Sequence, residues 1–269
     1  MDAHERLDVR LLREGLILSR SRAQLAIAQG LVLVNGLPAQ KPSQRVSPSD
    51  RLEVCGDPVG YVGRGGIKLE KALTQFGVDA AGLTVLDAGA STGGFTDCLL
   101  KHGAKKVYAV DVGRGQLAQS LREDPRVVCM EGVNIRDLTP DKLGEKADLI
   151  TCDLSFISLR LVLSSLFELL KDDGQALCLV KPQFEAGRGA VGKNGVVRDA
   201  ATHIKVLTDL IGACDKTGFS VKALTHSPIR GPEGNIEYLA HLNKSGTANG
   251  LDVAAVVRLS HDAFRGDIG

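Results

Sequence analysis

The segment Leu86-Asp87-Ala88-Gly89-Ala90-Ser91-Thr92-Gly93-Gly94-Phe95 constrains the fold more than any other stretch of the chain. It joins an apolar strand candidate at 84–86 to a helical stretch at 96–102. Glycines at such a junction let the backbone turn sharply and approach a ligand closely. About twenty residues further on, a second strand candidate at 107–110 ends in Asp111, and an acid at that place accepts hydrogen bonds from ribose hydroxyls. Together these features point to a nucleoside-containing cofactor.

Three chemistries compete for the loop. A dinucleotide oxidoreductase wants GxGxxG, but Ser91 stands at the third position of that motif. A hydrolase nucleophile elbow wants GxSxG, which Gly89-Ala90-Ser91-Thr92-Gly93 satisfies by letter. That elbow also needs an acid and a histidine in order downstream, and His102, His203, His226, His241 and His261 offer no obvious partner. The third chemistry is that of a methyltransferase loop, a strand followed by D-x-G-x-x-x-G-G. It accounts for the most residues. Asp87, Gly89, Ser91, Gly93 and Gly94 would hold the methionine end of S-adenosylmethionine and Asp111 its ribose. Asn134 or Asp137, after a third strand candidate at 127–130, would approach the adenine.

Further apolar runs at 149–152, 176–180 and 221–224 alternate with helical stretches at 69–76, 159–171 and 198–216. Such alternation predicts a parallel sheet covered by helices on both faces, with ligands bound beyond the carboxyl ends of the strands. The pattern before residue 60 is different. Leu7, Leu11, Leu12 and Leu16 recur at helical spacing over 5–16, and Leu25 with Ala28 continues the pattern in a second helix at 20–29 capped by Ser19. A strand at 31–34, a hairpin turn at Asn35-Gly36 and a strand at 51–54 complete a small α+β unit. The predicted organisation is a domain over 1–55, a Gly-rich linker over 56–66 and an α/β domain over 67–269.

Composition narrows the function. Aromatic residues make up 4% of the chain and Trp is absent, which argues against binding by many stacked bases. The net charge of +1 leaves any nucleic-acid contact to local clusters of Arg and Lys. Six cysteines form no CxxC pair, and Cys98 with His102 has no second pair to complete a zinc site, so no metal is expected and reduced, buried thiols are. The charged start MDAHERLDVR lacks a signal-peptide core, and no apolar run approaches the roughly 20 residues that span a bilayer. The run at 159–170 is expected to be one amphipathic helix in the core. A cytoplasmic protein without a membrane partner is expected.

Asp153 follows the strand candidate at 149–152, and Lys181 follows that at 176–180. Glu237 opens a further strand, and Lys68 precedes the first. In these residues the region 60–242 resembles the FtsJ-type ribose 2′-O-methyltransferases, whose Lys-Asp-Lys-Glu tetrad falls on Lys68, Asp153, Lys181 and Glu237. The N-terminal unit resembles the small RNA-binding domain named after the fourth small-subunit ribosomal protein, through Arg6-Leu7-Asp8, Ser19-Arg20-Ser21-Arg22, Gln29 to Gly36, and Asp50-Arg51-Leu52. The two together resemble the TlyA family. One departure is Gly63, where serine commonly precedes Arg-Gly-Gly.

The resemblance implies a Rossmann-like, S-adenosylmethionine-dependent methyltransferase sheet behind a small RNA-binding domain. It implies methylation of cytidine 2′-hydroxyls in ribosomal RNA: 23S, and for some members also 16S. Some members carry the name haemolysin. Partners would be ribosomal RNA or ribosomal subunits, with no obligate protein partner. Lys181 would be the base, Lys68 the neighbouring cation that favours its neutral form, and Asp153 and Glu237 the groups that orient lysines and ribose. Arg6, Arg20 and Arg22 would meet phosphates, which positions an enzyme without reading sequence. Arg64 would contact substrate beside Lys68.

Overall fold

The computed structural model describes residues 4–17, 20–55, 60–192, 195–244 and 250–265. The chain divides into two compact units, Met1–Val62 and Gly63–Gly269.

The first unit contains β1 (Glu5–Arg6), α1 (Leu7–Arg13), α2 (Arg20–Ala28), β2 (Val32–Val34), β3 (Leu37–Pro38), β4 (Arg45–Val46) and β5 (Leu52–Val54). β2 pairs antiparallel with β3 and β5, and β1 with β4. Asn35 and Gly36 both take positive φ, 53° and 79°, the geometry that joins twisted strands through a two-residue turn. Leu7 and Leu11 are fully buried with Ala23, Ala26 and Val32. Leu12 and Leu16, expected on the same face, are 39% and 42% exposed: Leu12 sits one residue, about 100°, round the helix from the buried Leu11, and Leu16 lies beyond the end of α1 at Arg13. Ser19, the expected cap of α2, lies outside the described residues.

Three arginines have their places here. Arg6 and Arg20 converge on the buried Asp8 carboxylate at 2.9 and 3.0 Å, and Arg6 first and then Arg20 hold that carboxyl well below the usual range. Their own side chains remain 41% and 53% exposed. Arg22 departs from expectation. It is 8% exposed and donates to the carbonyl of Tyr61, so its guanidinium serves the core of the unit instead of an outer basic face.

The second unit opens with α3 (Gly65–Phe76) and continues through β6 (Thr84–Ala88), α4 (Gly94–Lys101), β7 (Lys106–Asp111), α5 (Gln119–Arg122), β8 (Val127–Glu131), α6 (Pro140–Leu143) and β9 (Ala147–Cys152). Then come α7 (Leu163–Leu169), β10 (Leu170–Val180), α8 (Pro182–Glu185), α9 (Ala200–Thr217), β11 (Ser220–His226), β12 (Tyr238–Asn243) and α10 (Val253–Ala263). The single helix expected over 159–170 is a 3-10 turn at Leu159–Leu161 followed by α7, and Leu170 already belongs to β10.

The seven strands lie in the order β11-β12-β10-β9-β6-β7-β8. β12 runs antiparallel to both neighbours, while β10, β9, β6, β7 and β8 are parallel. Every residue of β6 is buried, as a central parallel strand covered on both faces requires. Leu86, Ala88 and Ile150 join α7, α9 and α10 in one core, with Leu163, Leu166 and Leu169 fully buried. Each such leucine contributes about 2 kcal/mol. On the opposite face α3 packs on α4, and α4 on β6 and β7. From β6 the chain moves one way to β7 and β8, then crosses to β9 on the other side. The crevice beyond β6 and β9 is therefore the switch point of the sheet.

Asp87 sits beneath that crevice. It is fully buried and accepts hydrogen bonds from Thr96 Oγ1 (2.7 Å) and Thr151 Oγ1 (2.9 Å), which ties β6 to α4 and β9. Burial pushes its carboxyl up to about 6, against the lowering effect of the two hydroxyls. A carboxyl raised in the folded state opposes folding fully above that value, and the opposition fades as pH falls toward the unfolded value of about 3.9. Asp87→Asn should therefore gain on the wild type at alkaline pH, with the gap between them shrinking by about 2–3 kcal/mol from roughly pH 8 to pH 4. Urea denaturation across that range reads the gap directly, and a gap independent of pH would refute the assignment.

Candidate active site

The turn after β6 is built by three residues in the left-handed region. Gly89, Ser91 and Gly93 have φ of 89°, 48° and 97°. A Cβ on Gly89 would lie 2.5 Å from the Asp153 carbonyl oxygen, so only glycine lets the ends of β6 and β9 approach this closely. A Cβ on Gly93 would lie 2.1 Å from Leu121, so this glycine packs the turn against α5. Ser91, a non-glycine at positive φ, is held by its N–H to Asp111 Oδ2 (2.8 Å) and its hydroxyl to Gln116 Oε1 (3.2 Å).

Gly89, Ser91, Asp111 and Asn134 line one cavity of about 560 Å³, together with Gln116 and Phe156. Gly94 lines a smaller cavity of about 130 Å³ that shares Gly89 and Ser91. Asp87 and Gly93 line neither, because one is enclosed beneath the turn and the other packed behind it. Asp137 likewise lies in an exposed 3-10 turn outside the cavity. Asp111 accepts from the N–H groups of Ser91 and Gly113, both at 2.8 Å, and an ionised carboxylate keeps acceptor capacity beyond two such bonds. Volume, glycine cradle and free acceptor suit a nucleoside-containing cofactor.

Sequence reasoning missed Glu131. Its carboxylate gathers the N–H groups of Gly115 (2.6 Å), Gln116 (2.8 Å) and Leu117 (3.0 Å) and pairs with Arg122 at 2.6 Å. Arg122 first, then these N–H groups, hold its carboxyl at about 2. The loop bearing Gln116 is thereby fixed as a wall of the cavity. The available signal was position, since Glu131 ends β8 as Asp111 ends β7.

A second cavity, of about 670 Å³, adjoins the first and shares Ser91, Asp153, Ser155 and Phe156 with it. Lys68, Asp153, Lys181 and Glu237 all line it, with Arg64 at its side. They form two pairs. Lys68 Nζ meets Glu237 Oε2 at 2.6 Å, both nearly enclosed. Lys181 Nζ meets Asp153 Oδ1 at 2.6 Å and donates to Ser155 Oγ at 2.9 Å. Arg64 Nη2 donates to the Arg230 carbonyl at 3.1 Å. Gly231 makes room for the first pair, since a Cβ there would lie 2.6 Å from Glu237 Oε1.

Ser155, Phe156 and Phe184 were not singled out from the sequence. Phe156 has φ of 64° and is 91% exposed, with its ring 5.2 Å from that of Phe184. Glu185 anchors the far end of this segment by accepting from Ser158 Oγ and the Leu159 N–H, both at 2.6 Å. Among the described residues no cluster of His, Cys, Asp or Glu is arranged to hold a metal, and no helix is long and apolar enough to cross a membrane. All six cysteines are free.

A glycine-rich turn after β6, an acid ending β7 and a cavity between them on a mostly parallel sheet define an S-adenosylmethionine-dependent methyltransferase. The family model of FtsJ-like methyltransferases matches residues 61–244, and that of the S4 domain matches residues 5–52. A Mycobacterium tuberculosis protein named 16S/23S rRNA (cytidine-2'-O)-methyltransferase TlyA is 44% identical over 259 residues, 94% of this chain and 97% of that one. Hemolysin A of Brachyspira hyodysenteriae is 45% identical, over 88% of this chain and 98% of its own. A solved structure from Streptococcus thermophilus, described as a hemolysin, superposes with a TM-score of 0.77 at 44% identity over 99% of each chain. The chain belongs to the TlyA family of FtsJ-like methyltransferases.

Two substitutions probe this geometry. Gly89→Ala should force the ends of β6 and β9 apart and weaken S-adenosylhomocysteine binding at least about tenfold, or 1.4 kcal/mol. Titration calorimetry giving wild-type affinity would show that the close approach is dispensable. Lys68→Ala leaves Glu237 buried without its cation and should cost about 3–5 kcal/mol in denaturant titrations. The double variant Lys68→Met/Glu237→Gln should recover much of that stability, and equal instability of single and double variants would contradict the pairing.

Proposed function

We propose that the chain transfers the methyl group of S-adenosylmethionine to the 2′-hydroxyl of a cytidine in ribosomal RNA, in 23S rRNA and also in 16S rRNA where that subunit is accepted. The observation that carries this reading is the convergence of Lys68, Asp153, Lys181 and Glu237 on one cavity that opens into the cofactor cavity. The name of the Mycobacterium tuberculosis relative supplies the nucleotide and the RNA class.

The cofactor supplies a sulfonium methyl, already activated for in-line transfer. Asp111 would hold its ribose, Asn134 its adenine side, and Gly89, Ser91 and Gly94 its methionine side. Asp87 and Gly93 act from beneath, by fixing the turn. Lys181 Nζ is the atom placed to take up the hydroxyl proton as the oxygen attacks the methyl. Asp153 and Ser155 fix that nitrogen at 2.6 and 2.9 Å, so the proton acceptor is oriented before substrate enters. Lys68 and Glu237 form the opposite wall and orient the ribose. Fixing acceptor, hydroxyl and methyl in line supplies much of the rate, because the entropy of alignment is given up on binding and not in the reaction step. The exposed ring of Phe156, beside Phe184, gives the target base an apolar surface at the mouth.

Arg6 and Arg20 offer the N-terminal unit's contact to phosphates, and Arg64 a contact near the catalytic cavity. An enzyme acting on ribosomal RNA with six free thiols belongs in the cytoplasm, among ribosomes.

Transfer of a tritiated methyl to isolated large and small ribosomal subunits tests the reading. Label should appear on ribose, and Lys181→Ala should lower kcat by about 10²-fold or more while cofactor affinity stays within about twofold. Normal transfer by a folded Lys181→Ala protein would remove Lys181 from the base role. Absence of label with cofactor bound would redirect the activity to another RNA.

A further inference from the structure

A further cavity, of about 480 Å³, lies outside the groups assigned to the reaction. Its floor is apolar, made by Val197, Ile236 and Phe264. Its polar rim is cationic: Arg198, Arg230 and Arg265 against the single carboxylate of Glu233, with His261 beside them. Arg230 and Glu233 also line the catalytic cavity, so the two cavities meet at this loop.

The arginines differ in how they are held. Arg230 is fixed. It donates to the carbonyls of Gly234 and Phe264, each at 2.9 Å, and lies 4.8 Å above the Phe264 ring. Its Nε is buried without an acceptor among the described residues. Arg265 is 82% exposed and pairs with Asp262 at 3.2 Å, outside the cavity lining. Arg198 is exposed on the rim and has no hydrogen-bond or ion-pair partner among the described residues. The 195–198 segment is nevertheless well placed, because the fully buried Asn235 accepts from the Val197 N–H and donates to the Gly195 carbonyl, both at 2.9 Å. Arg198 is thus a free guanidinium on a fixed backbone, beside a fixed Arg230.

We propose that this cavity is a phosphate-binding subsite that takes a backbone phosphodiester flanking the target ribose. The inference rests on the RNA reading given above. A guanidinium fork matches two phosphate oxygens, and several on one rim neutralise charge that a single arginine cannot. A strand whose ribose enters the catalytic cavity carries its phosphates past the shared Arg230–Glu233 edge. The subsite therefore acts on substrate affinity and not on the transfer step.

The test uses full-length protein and the subunit that the wild type labels. Arg198→Ala and Arg265→Ala, singly and together, should each raise KM for the subunit several-fold to about tenfold and leave kcat and S-adenosylhomocysteine affinity within about twofold. The slope of log affinity against log salt for protein-free rRNA should become shallower by roughly one per phosphate that is no longer neutralised. Arg258→Ala, on α10 but outside the cavity, should leave both unchanged. An unaltered slope and KM in the double variant overturn the proposal. Weakened binding to the subunit with normal binding to protein-free rRNA also overturns it, by assigning the cavity to an acidic ribosomal protein. If the wild type labels neither subunit, the RNA reading itself fails; if it labels one and the variants match it, only the subsite fails.

Discussion

At the middle of the sheet the ends of β6 and β9 come together without room for a single methyl group. The Gly89 Cα faces the Asp153 carbonyl, the Asp153 N–H donates to the Ala88 carbonyl at 2.9 Å, and Asp87 bonds Thr151 one step below. This junction sets the distance between the turn that would receive the cofactor and Asp153, the carboxylate shared by both cavities. The two cavities share walls for the same reason, since one backbone approach forms the edge of both. Beneath the junction lies a fully buried carboxyl whose ionisation burial opposes, and the two threonine hydroxyls that donate to it offset part of that cost.

The charge arrangement follows a second rule. Among the ionisable side chains that line the second cavity, Lys68 and Lys181 each have their own carboxylate, so these four are balanced. A balanced floor avoids the penalty of enclosing a lone charge. It also leaves attraction of a polyanion to groups on the rim and on the N-terminal unit, where arginines remain accessible. On the reading proposed above, chemistry and capture fall to different groups, which would respond differently to salt.

Much of this was legible in the sequence. The strand ends were, because a continuous apolar run followed by Asp or Lys marks where a buried strand leaves the core, and Asp111, Asp153 and Lys181 all stand there. The tetrad was legible only through family resemblance, since no spacing rule brings Lys68 to Glu237 across 169 residues. The roles of Asp87, Gly93 and Arg22 were not legible. A motif gives the identity of a residue but not whether its side chain faces the cavity or the core, and these three face the core or neighbouring helices. The antiparallel β12 and the broken helix at 159–170 escaped for a similar reason, because apolar periodicity does not encode strand direction or the point where a helix yields to a strand.

Phe156 has an implication of its own. Its backbone occupies a conformation that a bulky residue rarely adopts, and its ring gains almost nothing from burial. The Phe184 ring lies against it, and the Glu185 carboxylate ties down the segment further along. A loop ordered this way has given up its conformational freedom before any partner arrives. Association of a base with the ring, as proposed above, would then need little further ordering and would dissociate more slowly for it.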